Sequence, residues 1–128
     1  MIDLSLILTN SLPIVQETGR WIQSMVDEIS ETDIQYKGTN DLVSYVDQQA
    51  ENRLKTGLSQ IFPDAGFIAE ESATGQEDTG DGFYWVIDPL DGTTNFLHRL
   101  PVYAVSVGLI FNKQPVLGMI YEPNRDEL

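Results

Sequence analysis

The sequence has 128 residues, 41% of them hydrophobic, with 7 basic against 20 acidic residues and a net charge of −13. That apolar content supports a core within one domain of ordinary size, whereas the acidity argues against a nucleic-acid or anionic-membrane surface. There is no Cys and His98 is the one His, which excludes disulfides, thiolate zinc sites, Cys nucleophiles and His-pair mechanisms.

The N-terminus, MIDLSLILTNSLPIV, is apolar but has neither a basic n-region nor a small-residue cleavage site, so it does not read as a signal peptide. No apolar run approaches membrane-spanning length, and a soluble cytoplasmic protein is expected. Residues 3–30 predict a helix. Leu4, Leu8, Val15, Ile22, Met25 and Ile29 share one face, Trp21 and Val26 widen it, and Pro13 kinks or restarts it. Trp21 and Met25 read as core. Residues 34–44 look extended, with a turn at Lys37-Gly38. A second helix is expected over about 44–62, with Val46, Ala50, Leu54, Leu58 and Ile61 as its stripe and a capping box at Ser44 to Asp47. Pro63 to Gly66 stops it.

GFIAEES, from Gly66, predicts a short strand ending in Glu70 and Glu71. Residues 73–82 read as a polar loop. FYWVIDP predicts a buried strand. Tyr103–Phe111 alternates, Val116–Tyr121 is a second apolar run, and Asn112 to Gln114 joins them in a hairpin. IYEPNRDEL follows with no closing element, so the chain reads as the first part of something longer. Two helices and mostly antiparallel strands predict an α+β, two-layer arrangement.

Chemistry concentrates at Asp88-Pro-Leu-Asp91. Asp88 is placed at a strand exit, where Pro89 bends the chain away and frees the Leu90 carbonyl. Two carboxylates so close repel unless a cation lies between them, and Mg²⁺ takes such oxygen ligands. Gly92-Thr93-Thr94 has the composition of a helix N-terminus, where free amides hold phosphate. Together these suit metal-assisted phosphate chemistry. Taken alone, Asp88 to Asp91 could be a plain Pro turn and Glu70-Glu71 a solvated strand end. A third carboxylate at a second strand exit favours the metal site.

WVIDPLDGTTNFLHRLP, with FIAEES and KGTNDLVSYVD upstream, resembles the inositol monophosphatase family of Mg²⁺-dependent, lithium-sensitive phosphatases, over residues 3–128. The resemblance implies the N-terminal part of an αβαβα sugar-phosphatase fold, with residues 1–128 as a metal- and phosphate-binding domain. It implies Glu70 and Asp88 on a first metal, with the Leu90 carbonyl and Thr93 hydroxyl, and Asp88 with Asp91 on a second. Glu70 reaches a third ion through water. The Gly92 and Thr93 amides hold the phosphate, and Thr93 with Asp47 orients or deprotonates the attacking water, so Asp47 reads both as helix cap and as catalytic partner. Lys37 corresponds to a lysine at the mouth of the site, or is an exposed turn lysine.

Thr94-Asn95-Phe96 points to inositol monophosphate or similar polyol phosphates rather than phosphoadenosine or histidinol phosphates. His98 reads as structural. Ala69 replaces a usual Gly with little expected effect. The family's C-terminal half, with its W-D-x-x-A-G segment and the rest of the sugar pocket, is not in the sequence, so this chain alone is expected to turn over little. The family also implies homodimers when full length. The rival expectations are a nucleotide 3′-phosphatase relative and a non-catalytic interaction protein.

Overall fold

The computed structural model describes residues 2–28, 39–69 and 82–128. Helix α1 spans Leu4–Glu28 and runs unbroken through Pro13. Asp3 caps its start, its Oδ1 accepting the Leu6 N–H at 3.1 Å. The helix forgoes one internal hydrogen bond at Pro13, while Ile7, Val15 and Ile22 anchor its inner face in the core.

Helix α2 spans Thr39–Ile61. It starts five residues before the predicted Ser44, so Thr39 to Val43 are helical rather than extended. No Gly or Pro lies between Thr39 and Ser44 to stop the helix extending upstream. The predicted turn at Lys37-Gly38 lies outside the described residues. Val46, Ala50, Leu54 and Leu58 are fully buried on the inner face, each Leu contributing about 1.5–3 kcal/mol. Trp21, expected in the core, is half-buried, with the Arg53 guanidinium 4.7 Å from its ring centroid.

Strands β1 (Gly66–Ala69), β2 (Phe83–Asp91), β3 (Ala104–Phe111) and β4 (Gln114–Tyr121) form one sheet in the order β1-β2-β3-β4. β1 pairs parallel with β2, and the other two pairings are antiparallel. A short helix α3, Thr93–Leu97, joins β2 to β3. The predicted α+β arrangement is therefore observed. Both long helices cover one sheet face, α1 over β3 and β4 and α2 over β2. Trp85, Ile87, Val105, Val107, Leu109, Met119 and Tyr121 meet them there.

The hairpin turn is tighter than predicted. Asn112 and Lys113 take it alone, with φ of 47° and 68°, the left-handed pair whose twist suits two-residue hairpins. β4 begins before the predicted Val116 and includes Pro115. Ile110 pairs with Pro115 while Leu109 pairs with Leu117, so Val116 is an extra residue. A bulge on an outer strand tolerates proline, because no ladder donor is lost there.

The segment after β4 also departs from expectation. It folds back as a loop in which Glu122 and Glu127 bridge. The Tyr121 hydroxyl donates to Asp126 Oδ1 at 2.6 Å, and Gln23 of α1 donates to Asn124 at 3.2 Å. Burial, and then the bond to Asp126, push the Tyr121 phenol above its ordinary value of 10.0. A phenol held protonated in the folded state adds stability that is present below about pH 10 and is lost as pH rises through its raised folded value. Urea midpoints measured between neutral and strongly alkaline pH are expected to fall above pH ~10. Tyr121→Phe is expected to flatten that fall.

Candidate metal and phosphate site

Parallel pairing of β1 and β2 brings their C-terminal ends together. Ala69 is in register with Ile87, so β1 leaves the sheet at the level of Asp88. Glu70 and Glu71, the next residues, lie outside the described residues, as does Lys37.

β2 does not turn away at Pro89, as the sequence suggested. It continues to Asp91 through a bulge. Asp88 pairs with Ser106 and Asp91 with Ala104, so three steps along β2 match two along β3. In a regular strand, residues three apart face opposite sides. The inserted residue returns Asp91 to the side occupied by Asp88. Burial follows the shift: Trp85 and Ile87 are in the core, Asp88 is half-buried, Leu90 is again in the core and Asp91 is exposed. Pro89 suits the bulge, where a missing N–H costs no ladder bond. Pro89 and Leu90 have no registered partner on β3, which leaves the Leu90 carbonyl outside that ladder. Two carboxylates and a backbone carbonyl on one bulge offer an all-oxygen set of the kind a hard divalent cation takes. Among the described residues, no third acidic or His side chain completes a metal-sized cluster.

The next residues are held by backbone geometry. Gly92 has φ 101° and ψ 40°, and a Cβ there would meet the Val102 carbonyl oxygen at 2.9 Å and Tyr103 Cα at 3.2 Å. Only glycine enters this conformation without strain. The backbone then turns into α3, with the Phe96 N–H donating to the Gly92 carbonyl at 3.0 Å. Asn95 Nδ2 donates to the Val102 carbonyl at 2.8 Å. Phe96 is buried and packs edge-on against Tyr103, centroids 5.5 Å apart. Asn95 and Phe96, singled out above as substrate-class markers, thus latch the loop to the start of β3. Thr93 is half-buried and Thr94 exposed. His98 is exposed at the C-cap of α3, its N–H donating to the Thr94 carbonyl.

Asp47 is not a helix cap. With α2 starting at Thr39 it is the ninth residue of the helix, and it is 3% exposed. α2 packs on β2 and touches α3, so the helix bearing Asp47 borders the loop bearing Asp88 to Thr93. One turn further on, Glu51 is equally buried, a residue that sequence reasoning missed. Lys55 Nζ donates to its Oε2 at 3.0 Å, while Oε1 is buried with no partner. A Glu between Ala50 and Leu54, one turn after Asp47 on the apolar stripe, was the available signal. Leaving a carboxylate oxygen buried and unbonded costs about 1–3 kcal/mol or more, which sets Glu51 apart from an ordinary core residue.

The sequence model of the inositol monophosphatase family matches residues 3–128. An inositol-1-monophosphatase of Mesorhizobium japonicum is 39% identical over 124 residues, covering 97% of this chain and 46% of that protein. A fructose-1,6-bisphosphatase/inositol-1-monophosphatase of Aquifex aeolicus is 39% identical over 110 residues, 86% of this chain and 41% of that protein. Among solved structures, an inositol monophosphatase from Anabaena superposes with a TM-score of 0.78 at 29% identity, covering 98% of this chain and 43% of that one. The chain thus spans less than half the length of these relatives.

Proposed function

The chain belongs to the inositol monophosphatase family, and from that premise we propose that it carries the metal- and phosphate-gripping part of a Mg²⁺-dependent phosphomonoesterase. The observation that carries this reading is the β2 bulge, which turns Asp88 and Asp91 to one side with the Leu90 carbonyl between them. In the proposed site these groups hold Mg²⁺ together with Glu70. Bound Mg²⁺ supplies charge neutralisation at the phosphoryl oxygens and lowers the pKa of water. The Gly92 and Thr93 amides orient the phosphate, and Asp47, with the Thr93 hydroxyl, takes the proton of the attacking water.

The proposed substrate is inositol monophosphate or a related polyol phosphate. Thr94-Asn95-Phe96 and the names of the relatives support it. No nucleic-acid or membrane partner is proposed; among the described residues no helix is long and apolar enough to cross a membrane. A cytoplasmic location and a homodimer of the whole protein belong to the same proposal.

Phosphate binding that depends on Mg²⁺ tests the joint site. Inorganic phosphate, followed by ³¹P NMR, is expected to broaden on adding the chain with Mg²⁺ and to stay sharp with either alone. Equal broadening without Mg²⁺ would refute the reading. Release of phosphate from inositol monophosphate by the chain alone is expected to stay near the blank.

A further inference from the structure

Glu51 is 2% exposed on α2. Lys55, one turn on, donates to its Oε2 at 3.0 Å, and Oε1 has no hydrogen-bond partner among the described residues. A buried carboxylate with one oxygen unmet is costly, and a fold that keeps one needs a compensating reason. Its position supplies one. Phe62, at the end of α2, meets Phe83 at the start of β2, ring centroids 4.9 Å apart. α2 packs on β2 and leads through a short loop into β1, which is parallel to β2, so α2 runs back along β2. The helical rise from Phe62 back to Glu51 and the strand rise from Phe83 to Asp88 are each about 16 Å. Glu51 therefore lies level with Asp88, and Asp47, one turn nearer the start of α2, lies level with the β2 bulge. Among the described residues no third acidic side chain joins Asp88 and Asp91 in a metal-sized cluster, so Glu51 is close to the proposed metal without being a ligand.

We propose that Glu51 supports the Mg²⁺ site from the helix layer, its buried charge raising the affinity for Mg²⁺ without coordinating it. The inference rests on the proposed Mg²⁺ reading of Asp88 and Asp91. Buried charges are screened far less than exposed ones. The Lys55 side chain is 36% exposed and that of Glu51 2%, so water weakens the ammonium's field more than the carboxylate's. The pair thus leaves a net negative field inside the fold, and a divalent cation at the bulge interacts with it twice as strongly as a monovalent one. In return, the bound cation offsets the cost of the unmet Glu51 oxygen.

The test measures Mg²⁺ binding to the whole 128-residue chain by isothermal titration calorimetry, beside urea midpoints taken without metal. Glu51→Gln keeps the shape and an acceptor for Lys55. It is expected to weaken Mg²⁺ binding about tenfold, the effect of a unit charge on a divalent one across about 10 Å at an effective dielectric constant near 50. Lys55→Gln, which removes the opposing charge, is expected to tighten binding about threefold. Glu17→Gln, at an exposed position on α1, is expected to leave it unchanged and controls for overall charge. A purely structural role for Glu51 would move the metal-free urea midpoint and leave the Mg²⁺ constant where it was. The proposal is overturned if Glu51→Gln binds Mg²⁺ as tightly as the parent, or if Glu17→Gln weakens binding as much. If Glu51→Gln does not fold, Lys55→Gln decides alone, and unchanged or weaker binding overturns the proposal. A parent chain that binds no Mg²⁺ would remove the metal reading and this inference together, an outcome distinct from the others.

Discussion

Asp91→Asn is expected to remove Mg²⁺ binding, lowering affinity at least about 100-fold, the upper end of the cost of losing even an outer-shell partner of a metal. The reason lies in the bulge. Asp88 and Asp91 share a side of β2 because three residues there span two on β3. Two carboxylates so arranged repel, and a cation between them turns that repulsion into binding. Without Mg²⁺, the substitution relieves like-charge repulsion, so the thermal midpoint is expected to hold or rise slightly. With Mg²⁺, the parent gains stability by linkage and the variant does not. Midpoints measured with and without Mg²⁺ therefore cross in order. A variant that keeps a parent-like Mg²⁺-dependent gain would show that Asp91 is not a ligand. Asp88→Asn is expected to behave in the same way.

Gly92→Ala is expected to destabilise the fold by about 2–5 kcal/mol. Left-handed backbone costs an L-residue about 1–2 kcal/mol, and forcing an extra carbon into packed surroundings costs about 1–3 kcal/mol. The new Cβ would meet the Val102 carbonyl oxygen at 2.9 Å and Tyr103 Cα at 3.2 Å. Relief by local movement is hindered, because Asn95 and Phe96 tie the same loop to Val102 and Tyr103. The displaced segment carries Thr93 and adjoins Asp91, so Mg²⁺-dependent phosphate binding is expected to weaken as well. Urea unfolding measures the first effect and ³¹P broadening the second. A midpoint equal to the parent's would show that the loop yields without strain.

Much of the chain was legible in its local pattern. Helical stripes such as Val15 and Ile22, or Val46, Leu54 and Leu58, and the alternation along Val105, Val107 and Leu109, read directly as buried faces. Each repeats at the period of its own backbone, so no distant partner is needed to see it. The paired Asp88 and Asp91, and Gly92 before a helix start, were visible for the same reason.

Tertiary pairing decided the remainder. Whether Asp88 and Asp91 face one side depends on β2 carrying one extra residue between them, opposite Ser106 and Ala104 of β3. Whether Asp47 is a cap or a buried group depends on where α2 begins, and Glu51 becomes notable only once packing has closed over it. Gly108 and Gly118 look unrelated in sequence and become neighbours only when β3 and β4 align. A one-dimensional pattern records what each residue prefers locally. Register, the side a carboxylate faces and the face a sheet leaves open arise between segments far apart in the chain, where no local preference operates.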